Sequence, residues 1–115
     1  GQIMNAKVIS AASDENIKEA IAKMKRNGIS QIPVIEDHKA IGIISEAIIL
    51  DAMLNSKGRR VKDIMEDSPP VVPKNSSISM VANLLKFYPM VFLSEEGKLK
   101  GVITKSDLLG KMYRG

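Results

Sequence analysis

The chain repeats itself, and the repeat limits what it can fold into. One offset lays Ile3-Met4 on Ile64-Met65, and Ile17, Ala20, Ile21 and Met24 on Ile78, Val81, Ala82 and Leu85. Both sets of four have the i, i+3, i+4, i+7 spacing of one helical face. An offset two residues shorter lays Glu36, Lys39, Gly42, Ile44, Leu50 and Met53 on Glu95, Lys98, Gly101, Ile103, Leu109 and Met112, with Ser45 on Thr104. The change of offset places a two-residue deletion in the second copy, between its first helix and the next strand.

Each copy has one plan. An extended segment opens it, Val8-Ile9-Ser10 or Val71-Val72. Polar residues suited to a helix start follow, Ser13-Asp14 or Asn75-Ser76. After the amphipathic helix come two short apolar strands, Ile32 to Ile35 and Ile41 to Ile44, joined by Glu36-Asp37-His38-Lys39. Their counterparts are Val91 to Leu93 and Gly101 to Ile103, joined by Glu95-Glu96-Gly97-Lys98. These short polar connections read as hairpins. A second helix closes each copy, with apolar positions Ile49, Leu50, Met53 and Leu54 matched by Leu108, Leu109, Met112 and Tyr113. Asn55-Ser56-Lys57-Gly58 reads as a helix stop.

A unit of about 60 residues is marginal alone, because it buries only about 60% of its unfolded surface. We therefore expect an α+β fold of two tandem β-α-β-β-α units packed pseudo-symmetrically, sheet to sheet. Residues 1–58 and 59–115 form the two repeats of a single folding module on this reading.

Composition removes several functions. The chain has no cysteine and one histidine, His38, so thiolate zinc sites, iron–sulfur clusters, cysteine nucleophiles and His-rich metal clusters are excluded. No apolar run approaches the ~18–20 residues that span a bilayer, and the start of the chain has no signal-peptide pattern. A cytoplasmic location without membrane association is expected. The chain starts on Gly rather than Met, which fits a fragment or a processed chain. The net charge of +4 favours anionic partners in general. The aromatics, Phe87, Tyr88, Phe92 and Tyr113, do not interleave with basic residues as a base-stacking platform requires. Lys57, Arg59, Arg60 and Lys62 read as a solvated basic connection, and direct nucleic-acid binding is disfavoured. Asn75-Ser76-Ser77 reads as helix capping rather than a glycosylation acceptor, and the Gly97-Lys98 and Gly101 spacing is not a P-loop. Nor does any nucleophile, base and orienting group assemble into a catalytic set, so no enzyme is expected.

Thr104-Lys105-Ser106-Asp107 lies where a strand meets a helix. Free N–H groups and a partial positive charge at a helix start suit a phosphate. An ionised Asp can accept from two ribose hydroxyls. The same residues also resemble a capping box, with Asp in place of the usual Glu or Gln, and the two readings are compatible. In the first copy Ser45 matches Thr104, but Ile48 stands in the place of Asp107 and cannot hold a ribose.

Val61-Lys62-Asp63-Ile64-Met65, Gly28-Ile29-Ser30-Gln31-Ile32-Pro33-Val34 and Gly101-Val102-Ile103-Thr104-Lys105-Ser106-Asp107-Leu108-Leu109 resemble a CBS domain. The likeness covers nearly all of the chain as two tandem copies, a Bateman module. The second copy, with Met90-Val91-Phe92-Leu93, is similar to modules of archaeal transcriptional regulators.

The resemblance implies a regulatory, ligand-sensing module. Such modules bind AMP, ADP, ATP, S-adenosylmethionine or NAD between the repeats, need no cofactor, form homodimers and control an attached or associated effector. That effector domain is absent from this sequence. The alternative is a dimerisation or interaction module that binds no ligand.

The nucleotide-binding set implied is Val71, Val72, Tyr88, Pro89, Met90, Thr104, Lys105, Ser106 and Asp107. The backbone of Val71-Val72 would read the adenine edge, with Tyr88-Pro89-Met90 as a wall. For Val71, Val72 and Met90, plain core packing is an equal alternative. A degenerate second site would comprise Ser10, Ala11, Ile29, Gln31, Pro33 and Ser45.

Overall fold

A computed structural model of the chain describes residues 8–55 and 58–113, with side chains described as far as Gly110. The expectations for Ile3-Met4, Ser56 and Lys57, and for the side chains of Met112 and Tyr113, lie outside the described residues. The fold is α+β, with two three-stranded sheets in two compact units. One unit is Ile9–Ser68; the other holds Pro69 onward.

The first unit runs β1 (Ala11–Ala12), α1 (Ile17–Asn27), β2 (Gln31–Glu36), β3 (Lys39–Ser45), α2 (Glu46–Asn55) and α3 (Val61–Ile64). The second runs β4 (Val71–Pro73), α4 (Ile78–Leu85), β5 (Met90–Glu95), β6 (Lys98–Thr104) and α5 (Lys105–Tyr113). Each sheet has a short edge strand parallel to the middle strand, and a hairpin that pairs the middle strand with the third. The hairpins turn on two residues each, Asp37-His38 and Glu96-Gly97, all at positive φ. Positive φ at both central positions is the twist-matched turn of a two-residue hairpin.

Alternation along the strands places Ala11, Ile32, Val34 and Ile44 against Ile17, Ala20 and Met24 of α1, Ile49 and Ala52 of α2, and Val61 and Ile64 of α3. Val72, Val91, Leu93 and Ile103 pack likewise with Val81, Leu85 and Leu108. Pro33 and Ile43, like Met90 and Phe92, alternate onto the opposite sheet faces and are buried as well.

Three local expectations need correction. The edge strand of the first unit is Ala11–Ala12, not Val8 to Ser10. The cap of α1 is Asn16, whose side chain accepts from the Lys18 N–H at 2.8 Å; Ser13-Asp14 lie in the preceding turn. The cap of α4 is Ser77, accepting from Met80 N–H at 3.1 Å, whereas the Ser76 hydroxyl donates to the Pro73 carbonyl.

The segment that follows α2 is solvated as expected, with Arg59, Arg60 and Lys62 exposed, but its backbone is pinned to the first unit. The carbonyl of Arg59 accepts from Ile17 N–H at 2.9 Å, Val61 N–H donates to Glu15 O, and Lys62 N–H donates to Ser13 O. Arg60 reaches the Asp14 carbonyl. Further on, Ile43 and Glu66 exchange two backbone hydrogen bonds of 2.9 Å, which covers the edge of β3.

That edge contact needs a glycine. A Cβ on Gly42 would lie 2.8 Å from the Glu66 carbonyl oxygen, a backbone atom that cannot swing away. Gly42→Ala should therefore cost about 1–3 kcal/mol, the range for forced overpacking. Urea unfolding measures it; an unchanged midpoint would show that the Glu66 segment is not seated on β3.

Candidate functional site

Strand register assembles the second-unit candidates at one end of the sheet. Met90 pairs with Thr104, and Val71 with Phe92 two residues further along β5. Val71 begins β4, Met90 begins β5 after Tyr88-Pro89, and Thr104 ends β6 immediately before α5. Two strand spacings of about 4.8 Å and two residues of about 3.3 Å separate the backbones of Val71 and Thr104. The span is therefore roughly 12 Å, enough for an elongated ligand to touch both.

Exposure divides the set. Val71, Tyr88, Pro89, Thr104 to Asp107 all reach solvent to some degree, while Val72 and Met90 are buried. For Val72 and Met90, packing is what the structure shows. The hydrogen bonds of β4 explain the openness of Val71. Phe92 N–H donates to the Pro70 carbonyl, and Lys74 N–H to the Ser94 carbonyl. Alternate peptide groups thus face β5, and the carbonyl of Val71 turns to the open edge.

At the start of α5 the capping reading is realised in full. Asp107 N–H donates to Thr104 Oγ1 at 3.2 Å, and Thr104 N–H donates to Asp107 Oδ2 at 3.0 Å. This is a reciprocal capping box with Asp at the third helical position. The carboxylate beside Thr104 therefore has a structural task even without a ligand. It still has spare capacity: a carboxylate offers about four acceptor sites, and the backbone bond uses one. The cap fixes the carboxylate at an exposed helix start, next to the first free N–H groups of α5.

The first unit has the same frame with fewer parts. Ser45 Oγ accepts from Ile48 N–H at 3.1 Å, so half of the box survives. Ile48 returns no bond, and its side chain packs against the first core. Gln31 pairs with Ser45 at the sheet end, Ser10 and Ile29 lie beside it partly buried, and Ala11 and Pro33 are buried. A shallow cleft of about 320 Å³ lies at the opposite end of the second sheet, lined by Pro73, Lys74, Asn75, Ser94, Glu95 and Glu96. Lys74 and Glu95 neutralise each other there at 2.9 Å, and none of the candidate residues lines it.

Two β-α-β-β-α units in tandem, each with a short parallel edge strand beside a capped helix start, define a repeat-built α+β module. The chain belongs to the CBS domain family, whose profile matches residues 1–55 and 61–114. It is 32% identical over 110 residues to "Zinc metalloprotease MJ0392" of Methanocaldococcus jannaschii, covering 96% of this chain but 31% of that one. It is 30% identical over 104 residues to an inosine-5'-monophosphate dehydrogenase of Korarchaeum cryptofilum, covering 88% of this chain and 21% of the relative. The chain thus spans less than half the length of these relatives.

Among solved structures, it matches CBSX2 of Arabidopsis thaliana in complex with AMP with a TM-score of 0.85, at 20% identity over 96% of this chain and 91% of that one. The CBS domain pair of MJ0100, bound to 5-methylthioadenosine and S-adenosylmethionine, matches with a TM-score of 0.82 at 22% identity, covering 96% and 95%. CbpB of Listeria monocytogenes in complex with c-di-AMP matches with a TM-score of 0.81 at 26% identity, covering 99% and 92%.

The capping box predicts a ligand-free effect. Thr104→Ala and Asp107→Ala should each lower stability by about 0.5–2 kcal/mol, the usual range for a lost cap. The double variant should lose less than the sum, because the two side chains serve one motif. Denaturant unfolding of the four proteins measures this; strictly additive losses would contradict the reciprocal box.

Proposed function

We propose that the chain is a regulatory ligand-sensing module, not an enzyme, that binds an adenosine-type ligand at its second repeat and controls an attached or associated effector. The observation that carries this reading is Asp107. Its carboxylate is held at the exposed start of α5 with acceptor sites to spare, at the same sheet end as the open edge of Val71. In this reading Asp107 holds the ribose hydroxyls, the start of α5 with Thr104, Lys105 and Ser106 receives phosphate, and the Val71 edge reads the base. Tyr88 and Pro89 flank the ligand, and Met90 and Val72 support the site from the core. The ligands seen in CBSX2, MJ0100 and CbpB support the adenosine class: AMP, S-adenosylmethionine with methylthioadenosine, and c-di-AMP.

The repeats 1–58 and 59–115 act as one folding module on this proposal, with residues 59–68 packed in the first compact unit. Homodimerisation is supported by Leu50, Met53 and Leu54 of α2, which are 59%, 68% and 77% exposed. Of α2, Ile49 and Ala52 are buried in the core and Ile48 packs against it. Among the described residues no helix is long and apolar enough to cross a membrane. That and the lack of cysteine favour a cytoplasmic setting. A transcriptional regulator is one class of effector compatible with the module.

A second reading, a dimerisation module without ligand, draws on the capping box, because the box accounts for Asp107 by itself. Regulation in the first reading requires that the ligand bind one arrangement of the module more tightly than another.

Thermal unfolding with AMP, ADP, ATP, S-adenosylmethionine and NAD separates the two. A bound ligand at 100 times its Kd adds about 2.7 kcal/mol, a rise of several degrees for a domain of this size. Asp107→Asn keeps an acceptor for Thr104 N–H but loses the charge. We expect a rise with at least one ligand, absent or strongly reduced in that variant. No rise with any of them at millimolar concentration would favour the ligand-free module.

A further inference from the structure

The two units share one plan, so each side chain of the first has a counterpart in the second. The offset that lays Ile17 on Ile78 also lays Ser10 on Val71, Glu15 on Ser76 and Lys23 on Leu84. These three positions surround the edge strand, and the two units differ sharply there. In the second unit, Leu84 packs against the core and has no donor to offer. In the first, Lys23 on α1 places Nζ 2.7 Å from the Ser10 carbonyl oxygen and 3.0 Å from Glu15 Oε1. Glu15 Oε1 also accepts from Ala12 N–H at 3.2 Å. Ser10 occupies the register position of Val71, so its carbonyl likewise turns away from the middle strand.

The Glu15 side chain is only 10% exposed, and its second oxygen, Oε2, is buried without a hydrogen-bond partner. A buried carboxylate with an unsatisfied oxygen is costly to keep. Its ion pair and the Ala12 bond hold it there, and together they hold the lysine head group on the Ser10 carbonyl. An ammonium is a donor only, with three N–H groups. It therefore sits on the edge carbonyl as the exocyclic amine of a bound base would.

We propose that Lys23 is a built-in occupant of the edge in the first repeat, held by Glu15. With the edge carbonyl taken and Ile48 in place of Asp107, the first repeat is closed to adenosine-type ligands, and each chain binds one. This rests on the function proposed above, from which it takes the role of the Val71 edge.

Calorimetric titration with AMP, ATP and S-adenosylmethionine, each alone, tests it. We expect one equivalent per wild-type chain, complete loss in Asp107→Ala, and two equivalents in Glu15→Ser/Lys23→Leu/Ile48→Asp, which carries the second-repeat residues. Two equivalents in the wild type, or binding that survives Asp107→Ala, would overturn the proposal. A readout independent of any ligand is acetylation by an N-hydroxysuccinimide ester, followed by mass spectrometry. Lys23 should react about tenfold more slowly than exposed Lys18, as expected for a charge-assisted hydrogen bond that must first break, and should speed up in Glu15→Gln. Equal rates at Lys23 and Lys18 would overturn the proposal even if the triple variant fails to fold. If no ligand binds the wild type while Lys23 is protected, the sensor reading falls and the lysine contact stands.

Discussion

A strand at the edge of a sheet can bond on one side only, and this constraint organises the molecule. In β1 and β4 the alternate peptide groups that face the middle strand close the sheet, while those between them are left over. Leftover groups must find water, a side chain or a ligand. The two units answer differently. The Val71 carbonyl is left to the open edge, whereas Lys23 bonds the Ser10 carbonyl at 2.7 Å. The functional asymmetry we propose rests on these answers and on one difference at the helix start, Ile48 in the place of Asp107.

The helix start carries the second half of the chemistry. Thr104 and Asp107 bond each other's backbone N–H groups and so fix a charged side chain in place before any ligand arrives. Preorganisation of this kind lowers the ordering cost of binding. On the proposed function, a residue that caps the helix also serves the ligand. Capping and recognition are two uses of one geometry.

Much of the fold is legible in the sequence because both hydrophobic periods are present. The 3.6-residue period of Ile17, Ala20 and Met24 and the apolar runs around Ile32 and Ile44 survive into the core. The two-residue deletion is seen too: α4 is shorter than α1, and β5 begins two residues sooner after the start of α4, at Ile78, than β2 does after the start of α1, at Ile17. The caps were harder to place. Ser13, Asp14 and Asn16 are all good cap residues, and the turn in which Glu15 N–H donates to Ala12 O decides among them. The α3 turn has no periodicity to reveal it, being four residues long and held by backbone bonds to Ser13, Glu15 and Ile17. Ile49, Leu50, Met53 and Leu54 are legible as the apolar positions of α2, but the sequence does not show that Ile49 turns to the core while the other three stay exposed. Lys23 and Glu15 lie eight residues apart, outside the usual helical pairing distances. Only the alignment of the repeats, which sets Lys23 against Leu84, carried a signal for them.

A crystal structure of the chain grown with AMP tests this asymmetry most directly. We predict a single ligand per chain, lying between the Val71 edge and the Thr104–Asp107 helix start, with Lys23 Nζ still on the Ser10 carbonyl. A ligand seated at Ser10 with Lys23 displaced, or two equivalent ligands per chain, would contradict it.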